Sequence, residues 1–193
     1  MSKAGLVRDL DLWNSSPLRF RAAVAGDIAR LVELVESAYR GDASRVGWTT
    51  EAELLDGRRT GHDEIEAILA QDRSRLLLAE SDGTLLACAH VAVEDGAGYF
   101  GMFSVDPPTQ GKGLGKRVLA EAERIAAQEW NCPVMRMTVI DVRDELINFY
   151  LRRGYHRTGI KKPFPYGDAR FGLPRRDDLR FEVLEKPLPA SSR

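Results

Sequence analysis

The sequence predicts an α+β fold, a mixed, mostly antiparallel twisted sheet of about six to seven strands flanked by helices. Two patterns carry that expectation. Short apolar or alternating runs recur along the chain as strands do, and stretches with helical spacing separate some of them. Other runs are joined by glycine turns too short for anything but a hairpin. Hairpins make antiparallel neighbours and helical crossovers allow parallel ones, so a chain using both builds a mixed sheet.

The elements follow in order. Residues 18–24 alternate as a first strand. Asp27 can cap a helix whose apolar positions Ile28, Leu31, Val32, Leu34, Val35 and Ala38 share one face. Thr50 can cap a short helix over 50–55, and 63–71 reads as another, with Ile65, Ile68 and Leu69 on one side. A buried strand is expected at 75–80, a hairpin turn at Ser81-Asp-Gly83 and a strand at 84–93. Gly96-Ala-Gly98 then turns into an apolar strand over 99–105. An amphipathic run at 116–130 reads as a helix and 134–140 as a strand. Strands at 155–161 and 179–186 flank a Pro/Gly-rich excursion over 162–178. Residues 1–17 read as an irregular arm and 188–193 as a tail, leaving 18–187 as a single domain.

Composition narrows the function classes. A chain of 193 residues supports one domain with a full hydrophobic core. Its 28 basic and 29 acidic side chains nearly cancel, which argues against a nucleic-acid or membrane-surface binder. No apolar run is long enough to span a bilayer, and the N-terminus lacks the apolar region of a signal peptide. Cys88 and Cys132 do not suggest a disulfide framework. A soluble, cytoplasmic protein is the expectation.

The most informative segment is Val105-Asp-Pro-Pro-Thr-Gln-Gly-Lys-Gly-Leu-Gly-Lys116, between a strand and a helix. Pro107 and Pro108 cannot donate to a ladder and end the strand. Gly111, Gly113 and Gly115 leave bare backbone N–H groups at the positive end of a helix dipole, a cradle for an anion such as pyrophosphate. Lys112, Lys116 and Arg117 add positive charge. A Walker loop and a dinucleotide fingerprint starting at Gly111 would each need glycine at 116, where Lys116 stands.

Gln110-Gly-Lys-Gly-Leu-Gly115, preceded by Val105-x-Pro107 and a strand, instead resembles the acyl-CoA loop of the GNAT N-acetyltransferases. A second motif of that family follows on schedule: the strand 134–140, then Phe149-Tyr150-Leu-Arg-Arg-Gly154-Tyr155. The resemblance covers about residues 18–186 and is tight from 99 to 155. It implies the GNAT fold, acetyl-CoA as co-substrate and no metal. It implies that Gln110, Gly111, Lys112, Gly113, Leu114, Gly115 and Lys116 hold the pyrophosphate and pantetheine arm. The strand before the loop splays from its neighbour in the family. The backbone of Phe103, Ser104 and Val105 would then pair with the pantetheine amides and polarise the thioester carbonyl.

Tyr150 matches the tyrosine that protonates the leaving thiolate in many relatives, and a phenol with a pKa near 10 keeps its proton at neutral pH. The alternative is a core aromatic on a helix facing the sheet. Relatives often carry Asn seven residues earlier, where this chain has Arg143, so Arg143 either reaches the cofactor or stays at the surface. The acceptor amine must lose a proton, and the strand 99–105 has no carboxylate to take it. Glu51, Glu94, Asp95 and His90 are the candidates. The resemblance favours Glu51, since Trp48-Thr-Thr-Glu51 falls on the acceptor side, and a water chain without a dedicated base is the equal alternative.

Two segments, 39–60 and 162–178, form the acceptor cleft in the family. Here they carry Arg40, Arg45, Arg58, Arg59, Arg170, Arg175 and Arg176 among Trp48, Phe164, Tyr166 and Phe171, which suits an acceptor with a carboxylate or phosphate, or simply a solvated surface. The expected function is direct transfer of acetyl from acetyl-CoA to a small-molecule primary amine. A protein lysine or N-terminal amine is the first alternative, and a non-catalytic CoA-binding sensor the second. The family also makes a homodimer an open option.

Overall fold

The structure, a computed structural model, describes residues 17–40, 44, 45, 47, 49–168 and 171–190. Most of the expected arm and the end of the expected tail lie outside them, as do Trp48 and Arg170. Nine strands and four helices run in the order β1 (Arg19–Ala22), α1 (Ile28–Tyr39), β2 (Leu55–Asp56), α2 (His62–Leu69), β3 (Ser74–Ser81), β4 (Thr84–Glu94), β5 (Ala97–Val105), α3 (Leu114–Arg124), β6 (Val134–Ile140), α4 (Asp144–Leu151), β7 (His156–Pro163), β8 (Leu173–Pro174) and β9 (Arg180–Pro187) among the described residues. Seven strands form one sheet in the order β1-β3-β4-β5-β6-β9-β7, antiparallel except for the β5–β6 pair, and β2 and β8 pair apart from it.

The sheet is covered on both faces, and the two-residue period of the strands divides the core between them. Leu76, Leu78 and Cys88 pack with Leu31 and Val35 of α1 and Ile65 of α2. Leu77, Ala79, Ala87 and Ala89 point the other way and pack with Val118 and Leu119 of α3 and Ile147 of α4. The far end of α3 loosens into a π turn over Ile125–Glu129. It lies so close to β5 that a Cβ at Gly98 would sit 2.8 Å from Ala126 Cβ.

Turn chemistry sets the hairpins. Asp82 and Gly83 both have positive φ, as do Asp95 and Gly96, the signature of the primed turns that match strand twist. The second turn therefore falls at Asp95-Gly96, and Ala97 and Gly98 already belong to β5, which starts two residues earlier than expected. The short helix expected over 50–55 does not form. Thr50 Oγ1 does accept from Ala52 N–H at 3.0 Å, and Leu54 and Leu55 close one turn onto Glu51 C=O. Leu55 then leaves to pair with Pro174, so a long-range strand bridge ends the turn before a helix can propagate.

Two irregularities in β5 position the site. Register passes from Cys88↔Ser104 to His90↔Gly101, so Met102 and Phe103 oppose the single residue Ala89, a β-bulge with Met102 at φ +45°. On its other edge β5 pairs with β6 only at Gly98↔Met135 and Tyr99↔Arg136. Beyond Tyr99 the parallel strands part, and the gap opens between the loop at 106–113 and α4.

Candidate active site

The loop after β5 has the form its glycines predict. Gly111 and Gly113 have φ of +79° and +82°, left-handed values that glycine adopts without strain, and Gly113 hands the chain directly to α3. Gly115 serves a different purpose. A Cβ there would lie 3.1 Å from Phe103 Cζ and 3.5 Å from Phe149 Cζ, so its absence lets α3 close against two rings. Gln110 ties the loop to the strand by donating from Nε2 to Val105 C=O at 3.1 Å, and its amide lies against Gly47, where a Cβ would make it shift.

These parts wall a cleft of about 300 Å³ lined by Phe103, Val105, Gln110, Gly111, Gly113, Leu114, Gly115 and Lys116, with Arg143 and Tyr150 opposite. Ser104 and Lys112 are the two expected residues whose side chains do not line it. The Ser104 hydroxyl donates to Met102 C=O at 3.3 Å in the buried interior. The cleft also takes in Arg152 and Arg153, which extend the basic rim begun by Lys116. Arg153 lies 3.5 Å over the Phe149 ring and donates to the Phe149 carbonyl.

A second cavity of about 140 Å³ lies on the other side of Phe103, lined by Glu51, Arg59, Tyr99, Phe164, Phe171 and Phe181 among others. The two cavities share Tyr39, Phe103, Arg143, Leu146 and Tyr150, which form the partition between them. Tyr39 holds one side of that partition by donating from its hydroxyl to Phe103 C=O at 2.9 Å, and burial pushes its phenol up to about 12.

Tyr150 sits on α4, which ends as the motif dictates. Gly154, at φ +90°, donates to Leu151 C=O, and Tyr155 N–H reaches back to Tyr150 C=O at 3.3 Å, a Schellman end. This folds Tyr155 against Tyr150 with ring centroids 5.7 Å apart, and Phe149 and Phe100 complete the cage. The Tyr150 ring is therefore core, yet its residue lines both cavities, and its hydroxyl has no hydrogen-bond partner among the described residues. Burial, reinforced by Tyr39, holds the phenol far above its ordinary value.

Glu51 lies in the second cavity, enclosed by arginines. Its Oε2 accepts from Arg40 Nη1 and its Oε1 from Arg143 Nη1, both at 2.7 Å. Burial would raise its pKa, but Arg143, Arg40 and Arg59 outweigh burial and hold the carboxyl below its ordinary value. A carboxylate so engaged is a weak proton acceptor. Arg143, the residue before α4, also donates to Thr49 Oγ1 at 2.8 Å and reaches over the Tyr39 ring. It faces both cavities, so the surface alternative falls away.

The other candidate bases stand elsewhere. His90 shares a hydrogen bond with Ser74 Oγ at 2.8 Å, is pushed down to about 4 by burial, and lines neither cavity. Glu94 and Asp95 are exposed at their turn. Arg45, Arg175 and Arg176 pair with Glu53, Asp56 and Asp178 at the surface and Arg58 is exposed, which leaves Arg40 and Arg59 as the described acceptor-side arginines that turn inward. Tyr99 was legible only as a strand residue. Its phenol lies across Gly101, where no side chain could fit, and it walls the second cavity.

The sequence matches the Acetyltransferase (GNAT) family over residues 30–155. The chain belongs to the GNAT acetyltransferase family. Its members use acetyl-CoA, and the chain is accordingly an acyl-CoA-dependent N-acetyltransferase. One relative is the S-(2-succino)cysteine N-acetyltransferase of Bacillus subtilis (strain 168), 29% identical over 150 residues, which cover 73% of this chain and 86% of the relative. Among solved structures, the ribosomal-protein-S18-alanine N-acetyltransferase of Escherichia coli superposes with a TM-score of 0.66 at 12% identity, covering 91% of this chain and 97% of that one. A putative acetyltransferase from Salmonella typhimurium, solved with its cofactor acetyl-CoA, gives 0.62 at 21% identity, covering 91% and 96%. A putative phosphinothricin N-acetyltransferase gives 0.65 at 17%, covering 89% and 99%. At these identities the solved structures establish the seven-stranded fold and leave the acceptor open, since protein and small-molecule enzymes superpose equally well.

Proposed function

We propose that the protein transfers the acetyl group of acetyl-CoA to the primary amine of a small molecule, by direct attack while both substrates are bound. One observation carries the reading: two cavities meet at a partition that contains Tyr150 and Phe103, at the fork between β5 and β6. The N-terminal N–H groups of α3 and the side chain of Lys116 fit the pyrophosphate, and the glycines at 111 and 113 let the backbone approach it closely. Arg152 and Arg153 supply further positive charge for phosphate. β5 past Tyr99 has backbone groups without a β6 ladder, which suits the amides of an extended pantetheine arm.

Tyr150 acts as the general acid. Its hydroxyl is not committed to another described residue, and its environment keeps the proton on oxygen until a thiolate forms beside it. Glu51 acts as the clamp of Arg40 and Arg143 instead of the base. The amine proton then leaves through water. The excess of guanidinium over carboxylate at the second cavity favours the uncharged amine, because a like charge nearby disfavours the ammonium.

A small acceptor is favoured by the 140 Å³ size of that cavity and by Phe164 and Phe171, which bring the 162–178 segment over it. The relative that acts on S-(2-succino)cysteine points the same way. The test is initial-rate kinetics with acetyl-CoA and an amine panel, following thiol release and the acetylated product by mass. Intersecting double-reciprocal lines are expected. Parallel lines, the mark of a covalent acyl-enzyme, would count against direct attack.

A further inference from the structure

We propose that the acceptor is a compact primary amine that carries a carboxylate, and that Arg59 and Arg143 recognise that carboxylate. The proposal rests on the acetyl-transfer reading above and names its substrate class. Arg40, Arg59 and Arg143 all act on the single buried carboxylate of Glu51. Its two oxygens are taken by Arg40 and Arg143, so Arg59 has no share in them. Arg59, a quarter exposed, forms a loose ion pair with the half-exposed Glu64 at 3.9 Å and feels Glu51 only at longer range. The Arg59 guanidinium thus faces the cavity with only a loose ion pair, and a ligand carboxylate there can pair with it more closely than Glu64 does.

The geometry suits an oxyanion that engages two guanidinium forks at once, as a carboxylate does. The Arg59 and Arg143 guanidinium carbons lie 5.1 and 5.9 Å from the centroid of the same Tyr39 ring, so one rigid phenol holds both forks. Both arginines line the second cavity, and Arg143 Nε is buried without a hydrogen-bond partner among the described residues. Buried donors are almost always satisfied, and a planar anion offering two oxygens satisfies planar forks best.

The rest of the cavity fits the rest of such a molecule. Phe164, Phe171 and Phe181 give an apolar wall for its body, and Tyr150 stands at the partition toward which the amine must point. A polyamine or a lysine flanked by basic residues would bring a second positive charge into a site already in positive excess. That is a built-in selection against cationic acceptors.

The experiment measures kcat/KM with acetyl-CoA for L-amino acids, for their decarboxylated amines and for a lysyl peptide, in the wild type, Arg59→Gln and Arg59→Lys. The expected result is that an amino acid exceeds its own decarboxylated amine by roughly tenfold to hundredfold, the size of one charge-assisted contact. Arg59→Gln should collapse that preference mainly by raising KM for the amino acid. Arg59→Lys, which keeps the charge without the fork, should retain an intermediate preference. Acetyl-CoA affinity by calorimetry verifies that each variant is folded. Equal or faster turnover of the decarboxylated amines or the peptide overturns the proposal and leaves acetyl transfer standing, as does a preference that survives Arg59→Gln. Tight acetyl-CoA binding with no thiol release on any acceptor would sink both readings.

Discussion

Tyr150→Phe separates the catalytic reading of this residue from the structural one, because the substitution removes only an oxygen. The ring contacts to Phe100, Phe149 and Tyr155 survive. The lost hydroxyl has no hydrogen-bond partner among the described residues, so no donor or acceptor is orphaned. Removing such a group leaves stability within about 0.5 kcal/mol, which for a chain of this size is a shift of roughly 2 °C or less in Tm. The loss of a positioned general acid lowers the chemical step by about 10² to 10⁴, or roughly 3–5.5 kcal/mol of barrier. Single-turnover acetylation at saturating acetyl-CoA is the assay, since a slow release step would mask part of the effect in steady state. Calorimetry should find acetyl-CoA affinity unchanged within about twofold, as expected when an interaction made only in the transition state is removed. A single-turnover rate within about threefold of wild type would refute the acid role. A rate loss accompanied by an equal loss of cofactor affinity or of Tm would return Tyr150 to the core.

Four further expectations test the site. Glu51→Ala leaves the Arg40 and Arg143 guanidiniums buried and unpaired, at a cost of about 3–5 kcal/mol, so calorimetric Tm should fall by on the order of 10 °C. An unchanged Tm with lost activity would restore Glu51 as the base. Because the folded Glu51 carboxyl lies below its unfolded value of 4.5, its contribution is present above that pH and disappears as pH falls through the folded value; unfolding curves for wild type and Glu51→Ala should converge there. Gly113→Ala forces a side chain into φ +82° and should raise KM for acetyl-CoA at a strain of about 1–3 kcal/mol, with kcat less affected. A normal KM would mean the loop does not hold the donor. The upward shift at Tyr150 keeps the acid protonated, so kcat should show no descending limb up to about pH 10; a fall centred below that would contradict the assigned acid.

The loop proposed to bind the donor was legible because it is local. Gly111, Gly113 and Gly115 stand within five residues, and their meaning follows from backbone angles and the start of a helix. Phe149-Tyr150 and Gly154 are likewise one helix end. The proposed acceptor side was legible only as two segments of arginines and aromatics with Glu51 among them. Which of them turn inward depends on partners far along the chain: Arg143 meets a carboxylate 92 residues away, and Tyr39 reaches a carbonyl 64 residues away. Thr49, Arg152 and Arg153 fall inside quoted runs of sequence, but only the fold turns them toward the cleft they line.

By itself the sequence determined the class of fold and the seven strands of the main sheet through periodicity and glycine and proline positions, and its resemblance to the GNAT family singled out the glycine loop and Tyr150. Only the tertiary structure decided that β5 and β6 part after Tyr99, that residues 50–55 form a turn leading into β2, and that Glu51 is clamped between two arginines. Those outcomes depend on pairings between distant segments. Burial and charge compensation choose among such pairings only once the whole chain has packed.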